Sequence, residues 1–300
     1  MRLILGIWIL VVLLAPAPLV AQEDPAADLN EAIQRRLEAS RLQARAVAAF
    51  SAGDIEGARA LLEQQLELEP GNPLALYNLA CVQCVGGDRE AALATLRRAI
   101  EHGFVDFEQM RRDPNLVDLH ETDLFRGVLA NRTAILDAAG DLRFEEAKKK
   151  YGPRYVYDRD EELKLSFACA YDEQTLAQAR EELRRIADWA LSEVFTDLRD
   201  PPMREVDPWV LVVLPSERDF RRWAIMRYGP AAVTSDFHRI GGSYSHDAKE
   251  LVAMDLGGTL RHEFLHVLHW RSNMRQAQGH PVWIQEGLCS LVEDYDMKGG

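Results

Sequence analysis

The 300-residue sequence predicts an α+β protein in two parts: an all-α array of helical repeats, followed from about residue 154 by a domain that mixes strands and helices. Three observations carry the prediction. Small residues recur at a period of 34 within residues 39–139, the mark of stacked helical hairpins. Beyond residue 154, short β-branched runs alternate with longer stretches of helical period. Finally, His262, Glu263 and His266 spell H-E-x-x-H within a run that has the apolar spacing of a helix. A hydrophobic content of 47% is ample for two modest domains. The net charge of −13 argues against nucleic acid and anionic membrane surfaces as the main partners.

Residues 1–21 read as a secretory signal peptide: Arg2, an apolar run from Leu3 to Leu14, then Pro16, Pro18 and a small-residue cleavage site ending at Ala21. The expected location is therefore secreted or periplasmic. If the segment is not cleaved, the charge-free run from Leu3 to Gln22 would instead anchor the chain in a membrane, with its domains outside the cytoplasm. Residues 22–38 are read as a tether and leading helix. From residue 39, Ala46, Gly53, Asp54, Ala58 and Leu62 recur as Ala80, Gly87, Asp88, Ala92 and Leu96, and Pro70 closes the first unit. This pattern resembles the tetratricopeptide repeat, which implies two antiparallel helices per unit, close approach at the alanines and a turn at Gly-Asp. The resemblance also implies a groove for an extended peptide or protein partner; a spacer that packs on the next domain is equally open. An atypical closing unit is expected to about Ala139. Residues 140–153, with Gly140-Asp141, the charged run from Glu145 to Lys150 and Gly152-Pro153, read as a linker. Cys81 and Cys84 fall inside a helix as packing residues, Cys169 and Cys289 read as core positions, and no disulfide is expected.

In the second part, residues 154–300, Leu163–Ala170 reads as a strand and Glu173–Phe195 as an amphipathic helix. Trp209–Leu214 follows as a buried strand. Ser216 is the expected N-cap of a helix from Glu217 to Arg227, and residues 241–254 form a hairpin. The H-E-x-x-H helix comes next, with Thr259 as its expected N-cap and Leu260, Phe264, Leu265, Val267 and Leu268 as its apolar coverage.

Positions i and i+4 of a helix project from one face, so His262 and His266 can share one metal ion. Catalytic zinc takes three protein ligands and keeps a position for water, so a third ligand must come from elsewhere. A metzincin continuation would need glycine at 269 and histidine at 272, where the chain has His269 and Ser272. A second short helix after Pro281, with apolar spacing at Trp283, Leu288, Leu291 and Val292, could present the carboxylate of Glu286.

H-E-x-x-H followed twenty residues later by W-x-x-E-G, here Trp283 to Gly287, resembles the gluzincins, the thermolysin-like and aminopeptidase-like metallopeptidases of the peptidase MA clan. The resemblance implies Zn2+ held by His262, His266 and Glu286, with Glu263 as general base to a zinc-activated water, and a peptide or protein substrate. It also implies that the hairpin before the metal helix pairs with substrate backbone. Glu293 falls where the aminopeptidase branch often has a glutamate. Ser290 stands where thermolysin-like proteins often carry an aspartate, and a C-terminal helical subdomain is expected to be missing, since fourteen residues follow Glu286. Tyr295, Tyr244 and His246 are the candidates for stabilising an oxyanion, and His269 and His280 are read as lying outside the ligand set. The alternative is a non-catalytic tetratricopeptide-repeat binding module with a degenerate, zinc-binding peptidase-like domain.

Overall fold

The computed structural model describes residues 25–199, 206–229, 241–246, 248–276 and 279–294. The segment 1–21 and Tyr295 lie outside them. Helix α1 (Pro25–Ser51) pairs with α2 (Ile55–Leu68), and α3 (Pro73–Val85) with α4 (Arg89–Glu101). Both hairpins turn by one device: Gly53 and Gly87 adopt φ of +81° and +83°, which only glycine takes without strain. The next residue then caps the following helix, Asp54 accepting from the Gly57 amide at 2.9 Å and Asp88 from the Ala91 amide at 3.2 Å. The recurring alanines Ala46, Ala58, Ala80 and Ala92 are buried where the helices cross. Helices α5 (Phe107–Arg112) and α6 (Asp123–Ala130) close the array. The Tyr77 ring stacks on Phe104, and its hydroxyl donates to Asp113 at 2.6 Å.

Residues 140–151 are not a linker. They belong to α7 (Arg132–Tyr151), one helix that begins beside the repeats and ends on the sheet of the second part. Gly140 misleads because it reads as a helix breaker. Its true role is close approach, since a Cβ there would lie 2.7 Å from the Pro208 ring. Arg143 donates to the Pro208 carbonyl at 3.1 Å, and Asp137 pairs with Lys164 at 2.9 Å, so the helix is fastened to the second part at two points.

The second part holds a five-stranded sheet in the order β1-β2-β3-β5-β4. Its strands are β1 (Val156–Asp160), β2 (Leu165–Cys169), β3 (Trp209–Val213), β4 (Gly242–Ser245) and β5 (Glu250–Ala253). The three central strands are parallel, and β1 and β4 run antiparallel at the edges. Strand β1 escapes the sequence reading because VYDRD is mostly polar, as an edge strand can be. Its buried charge is paired, Asp160 accepting from Arg184 at 2.6 Å. Side chains alternate across the sheet. Leu165, Phe167, Trp209, Leu211, Val213 and Leu251 meet α8 (Glu173–Glu193) and α10 (Gly258–Gln276) on one face. Ala168, Val210, Val212 and Val252 meet α7 and α9 (Glu217–Tyr228) on the other. Ser216 caps α9, accepting from the Asp219 amide at 3.2 Å. Among the described residues no helix is long and apolar enough to cross a membrane.

The two parts are joined by a buried charge cluster. Lys249, only 1% exposed and with a φ of +50°, sends its ammonium to Asp106 beside α5 at 2.6 Å and to Asp207 at 3.1 Å. The same ammonium lies 5.0 Å from the Trp270 ring centroid. Arg271 of α10 donates to the Asp207 carbonyl at 2.7 Å and to the Leu163 carbonyl at 3.0 Å. Removing one member strands the other charges away from water, so Lys249→Ala should lower the unfolding free energy by about 3–5 kcal/mol in urea titration at neutral pH. Burial alone would raise the Asp207 carboxyl, but Lys249 and Arg271 reverse that and hold it below the ordinary aspartate value. A lowered carboxyl adds stability that is complete above the unfolded pKa of about 4 and is lost as pH falls through the folded value. Urea midpoints should therefore drop below about pH 4, and the drop should be shallower in Asp207→Asn.

Candidate metal centre

Helix α10 is anchored by the apolar residues the sequence singles out, with Leu260, Phe264, Leu265, Val267 and Leu268 all fully buried. Its start differs from expectation. Thr259 does not cap it: the helix begins at Gly258, the Gly257 carbonyl accepts from the Arg261 amide at 3.1 Å, and the Thr259 hydroxyl donates to Asp255 at 2.8 Å. The second short helix, α11 (Val282–Ser290), starts after Pro281. Its packing also departs from the expected spacing, because Trp283 and Leu291 face outward at 74% and 60% exposure. Cys289 and Val292 carry the burial instead, with Leu288 partly covered. The short helix needs only one inward edge, so its apolar residues do not all report the core.

Helices α10 and α11 bring His262, His266 and Glu286 together. The two Nε2 atoms are 3.0 Å apart, and the Glu286 oxygens lie 3.3 Å from His262 Nε2 and 3.6 Å from His266 Nε2. Ligands at about 2.0–2.1 Å around a tetrahedral zinc are separated by about 3.3–3.4 Å, so the three groups fit such an ion. His262 Nδ1 faces the Glu293 carboxylate. An ionised carboxylate only accepts, so Nδ1 is the donor in this pair, and in the neutral ring Nε2 is then the nitrogen whose lone pair is open to a cation. Burial, with His262 and His269 nearby, pushes His266 down to about 3, so it is neutral across the physiological range and can also ligate. The His266 ring stacks on Tyr244 at 4.6 Å. Cys289 Sγ lies within 4.8 Å of both histidines, yet the thiol is fully buried and is pushed up by burial and by Glu286, Glu263 and Glu293. A divalent cation would act in the opposite direction on that thiol, so Glu286, with its oxygens at 3.3 and 3.6 Å from the two Nε2 atoms, and Cys289 are the two candidates for the third donor, and we take Glu286 as the first choice.

Glu263 is 8% exposed and lies in the same cleft wall. Burial first, then Glu286 and Glu293, pushes its carboxyl up to about 8; a divalent cation among the three donors would act in the opposite direction. Gly242 on β4 makes room for it, since a Cβ there would come 2.4 Å from Glu263 Cγ. The cleft encloses about 650 Å³. One wall is the β4 edge with Gly241–Tyr244, and another is the aromatic face of α9 with Phe220, Trp223 and Tyr228.

Two positioning residues are invisible in the sequence. Arg261 reaches past the end of α11, donating to the carbonyls of Val292 (2.8 Å) and Glu293, and so presents Glu293 to His262. Gly258 allows that approach, because a Cβ would lie 2.9 Å from the Glu293 carbonyl oxygen. Glu293, and not Ser290, is the residue that faces the outer nitrogen of His262; the Ser290 hydroxyl donates to the Glu286 carbonyl of its own helix at 2.9 Å. His269 and His280 bond to each other at 2.6 Å and are not in the group of donor atoms around His262 and His266. His246 stacks on Trp270 at 4.3 Å, and the Tyr244 hydroxyl donates to Gln285 at 3.4 Å.

The family model described as tetratricopeptide repeat matches residues 49–112, which run from the last turn of α1 through α5. A tetratricopeptide repeat is thus present at residues 49–112. No curated protein and no solved structure matches the chain.

The geometry ranks the donors for a metal. In zinc titrations, Glu286→Ala and His266→Ala should lose tight binding, Glu293→Ala should weaken it by about 10–100-fold, and Cys289→Ala should leave it within about twofold. Loss of zinc in Cys289→Ala with retention in Glu286→Ala would exchange the two assignments.

Proposed function

We propose that the part of the chain beyond about residue 154 is a zinc metallopeptidase domain, exported through the signal-like segment 1–21 and hydrolysing peptide bonds. The observation that carries this reading is the convergence of His262, His266 and Glu286 at 3.0–3.6 Å on an open cleft, with Glu263 beside them. Zinc held there would supply Lewis acidity, lowering the pKa of a water to about 7 and polarising a carbonyl.

The chain's own groups do the rest. Glu263 is rotated about 100° around the helix from His262, so its carboxylate is a base and not a ligand. It takes the proton of the attacking water and passes it to the departing nitrogen. Glu293 fixes the His262 ring, and Arg261 fixes Glu293. Strand β4 ends the sheet order at the cleft, so an extended peptide can pair with its outer edge. This edge and the aromatic wall of α9 favour a peptide over a small polar substrate.

The tetratricopeptide match at 49–112 favours a second reading, a partner-binding protein whose zinc-binding domain does not turn over. The two readings separate on a mixed peptide library digested by wild type and by Glu263→Gln. The peptidase reading expects zinc to be retained in the variant and hydrolysis to fall by about 10²–10⁴-fold. Equal cleavage by both would remove Glu263 from the chemistry, and none by either would favour the binding protein.

A further inference from the structure

A second and larger cavity, of about 1010 Å³, lies on the other side of α9. It runs over the sheet face that α7 and α9 leave incompletely covered, and α1 borders it through Ile33 and Arg36. Its charge is opposite to that of the chain. Arg36, Lys150, Arg154, Arg218, Arg222 and Arg227 line it against two carboxylates, Asp219 and Glu250, in a protein of net charge −13.

Several of these groups have work inside the fold. Arg36 donates to the Met226 carbonyl, Arg227 to Ser245, and Lys150 approaches Glu250 at 3.7 Å. Asp219 is held by Ser216 at the start of α9. Arg154, Arg218 and Arg222 make no hydrogen bond or ion pair among the described residues, although carboxylates outnumber cations in the chain. Arg218 and Arg222 are one helical turn apart on α9, and Arg154 stands beyond the end of α7, so the free charges are carried by different walls. Between them the lining is aromatic and aliphatic, with Tyr155, Trp223, Met226 and Leu214.

We propose that this groove binds an acidic peptide segment, with carboxylates on the three arginines and apolar side chains on the floor. Distributed guanidinium groups suit several carboxylates along a chain. The net charge of −13 disfavours approach to a polyanion such as nucleic acid or an anionic bilayer, whose field acts on the whole molecule. Trp223 lines both this groove and the metal cleft, so a chain seated in the cleft can continue over it. That continuity rests on the peptidase reading; the binding itself does not.

The test is fluorescence anisotropy with a short labelled peptide of repeating Glu-Glu-Leu, using the mature chain carrying Glu263→Gln so that no probe is cleaved. The acidic peptide should bind, its Lys-Lys-Leu counterpart should not, and affinity should fall with added salt. Reversing Arg154, Arg218 and Arg222 together to glutamate should weaken binding by at least about tenfold. The same net change at the exposed Arg97, Arg98 and Arg185 should alter it by less than about twofold. Circular dichroism melts show that each triple variant is folded. The proposal is overturned by no binding, by equal losses in the two triple variants, by equal binding of the lysine peptide, or by binding confined to phosphatidylglycerol vesicles or a single-stranded oligonucleotide. None of these results depends on turnover, so failure here leaves the metallopeptidase reading to its own test.

Discussion

The contact on which the rest of the structure depends is the buried ammonium of Lys249 between Asp106 and Asp207. A charge with so little access to water persists only where other charges surround it, so its partners must be brought together for either part of the chain to reach its final arrangement. Asp106 comes from the helical array, Asp207 from the approach to β3, and Arg271 and Trp270 from the helix that carries the histidines. The Lys249 carbonyl meanwhile accepts from the Val210 amide and so sets the register of β5 on β3. One cluster therefore orients the repeats, the central strands and α10. Arg112 extends the tie by donating to the carbonyls of Met274 and Arg275, the open end of α10.

With α10 held at its far end by the helical array, its near end is shaped by close backbone approach. Gly242 admits the Glu263 side chain against β4, and Gly258 admits the turn after α11. Arg261 then grips that turn, and the result is a graded set of carboxylates. Glu286 faces the two Nε2 atoms, Glu293 faces the outer nitrogen of His262, and Glu263 stays buried beside them. In the proposed metallopeptidase these three acids of one residue type, separated by environment, would serve as a metal donor, a ring orienter and a base.

Helix α9 divides the molecule electrostatically. Its aromatic face closes a cleft lined by five carboxylates and, among the described lining residues, no lysine or arginine. Its arginines face a groove where cations dominate. A divalent cation in the cleft would offset part of the first charge, whereas among the described residues of the groove Asp219 and Glu250 offset only part of the second. The overall charge conceals this division, because it sums two surfaces that would act on different groups of a ligand.

The local determinants were legible from the sequence because they depend on neighbours in the chain. The Gly-Asp turns and spaced alanines specify the repeats, Ser216 specifies the start of α9, and the i, i+4 histidines on an apolar helix specify a shared face. Glu286 was legible only through its spacing in a second motif. Tertiary structure decided what depends on residues distant in sequence. Gly140 and the charged run after it read as a break, yet they form a continuous helix because Pro208 packs where a side chain would otherwise be. Strand β1 became a strand through pairing with β2, despite its polar sequence. Glu293 meets His262 because Arg261 draws the end of α11 toward α10, and the basic groove forms because α1, α7 and α9 meet over one sheet face. Helix period and capping act within about four residues and are written in the chain itself, whereas close approach and charge pairing act through space and are set only when the fold closes.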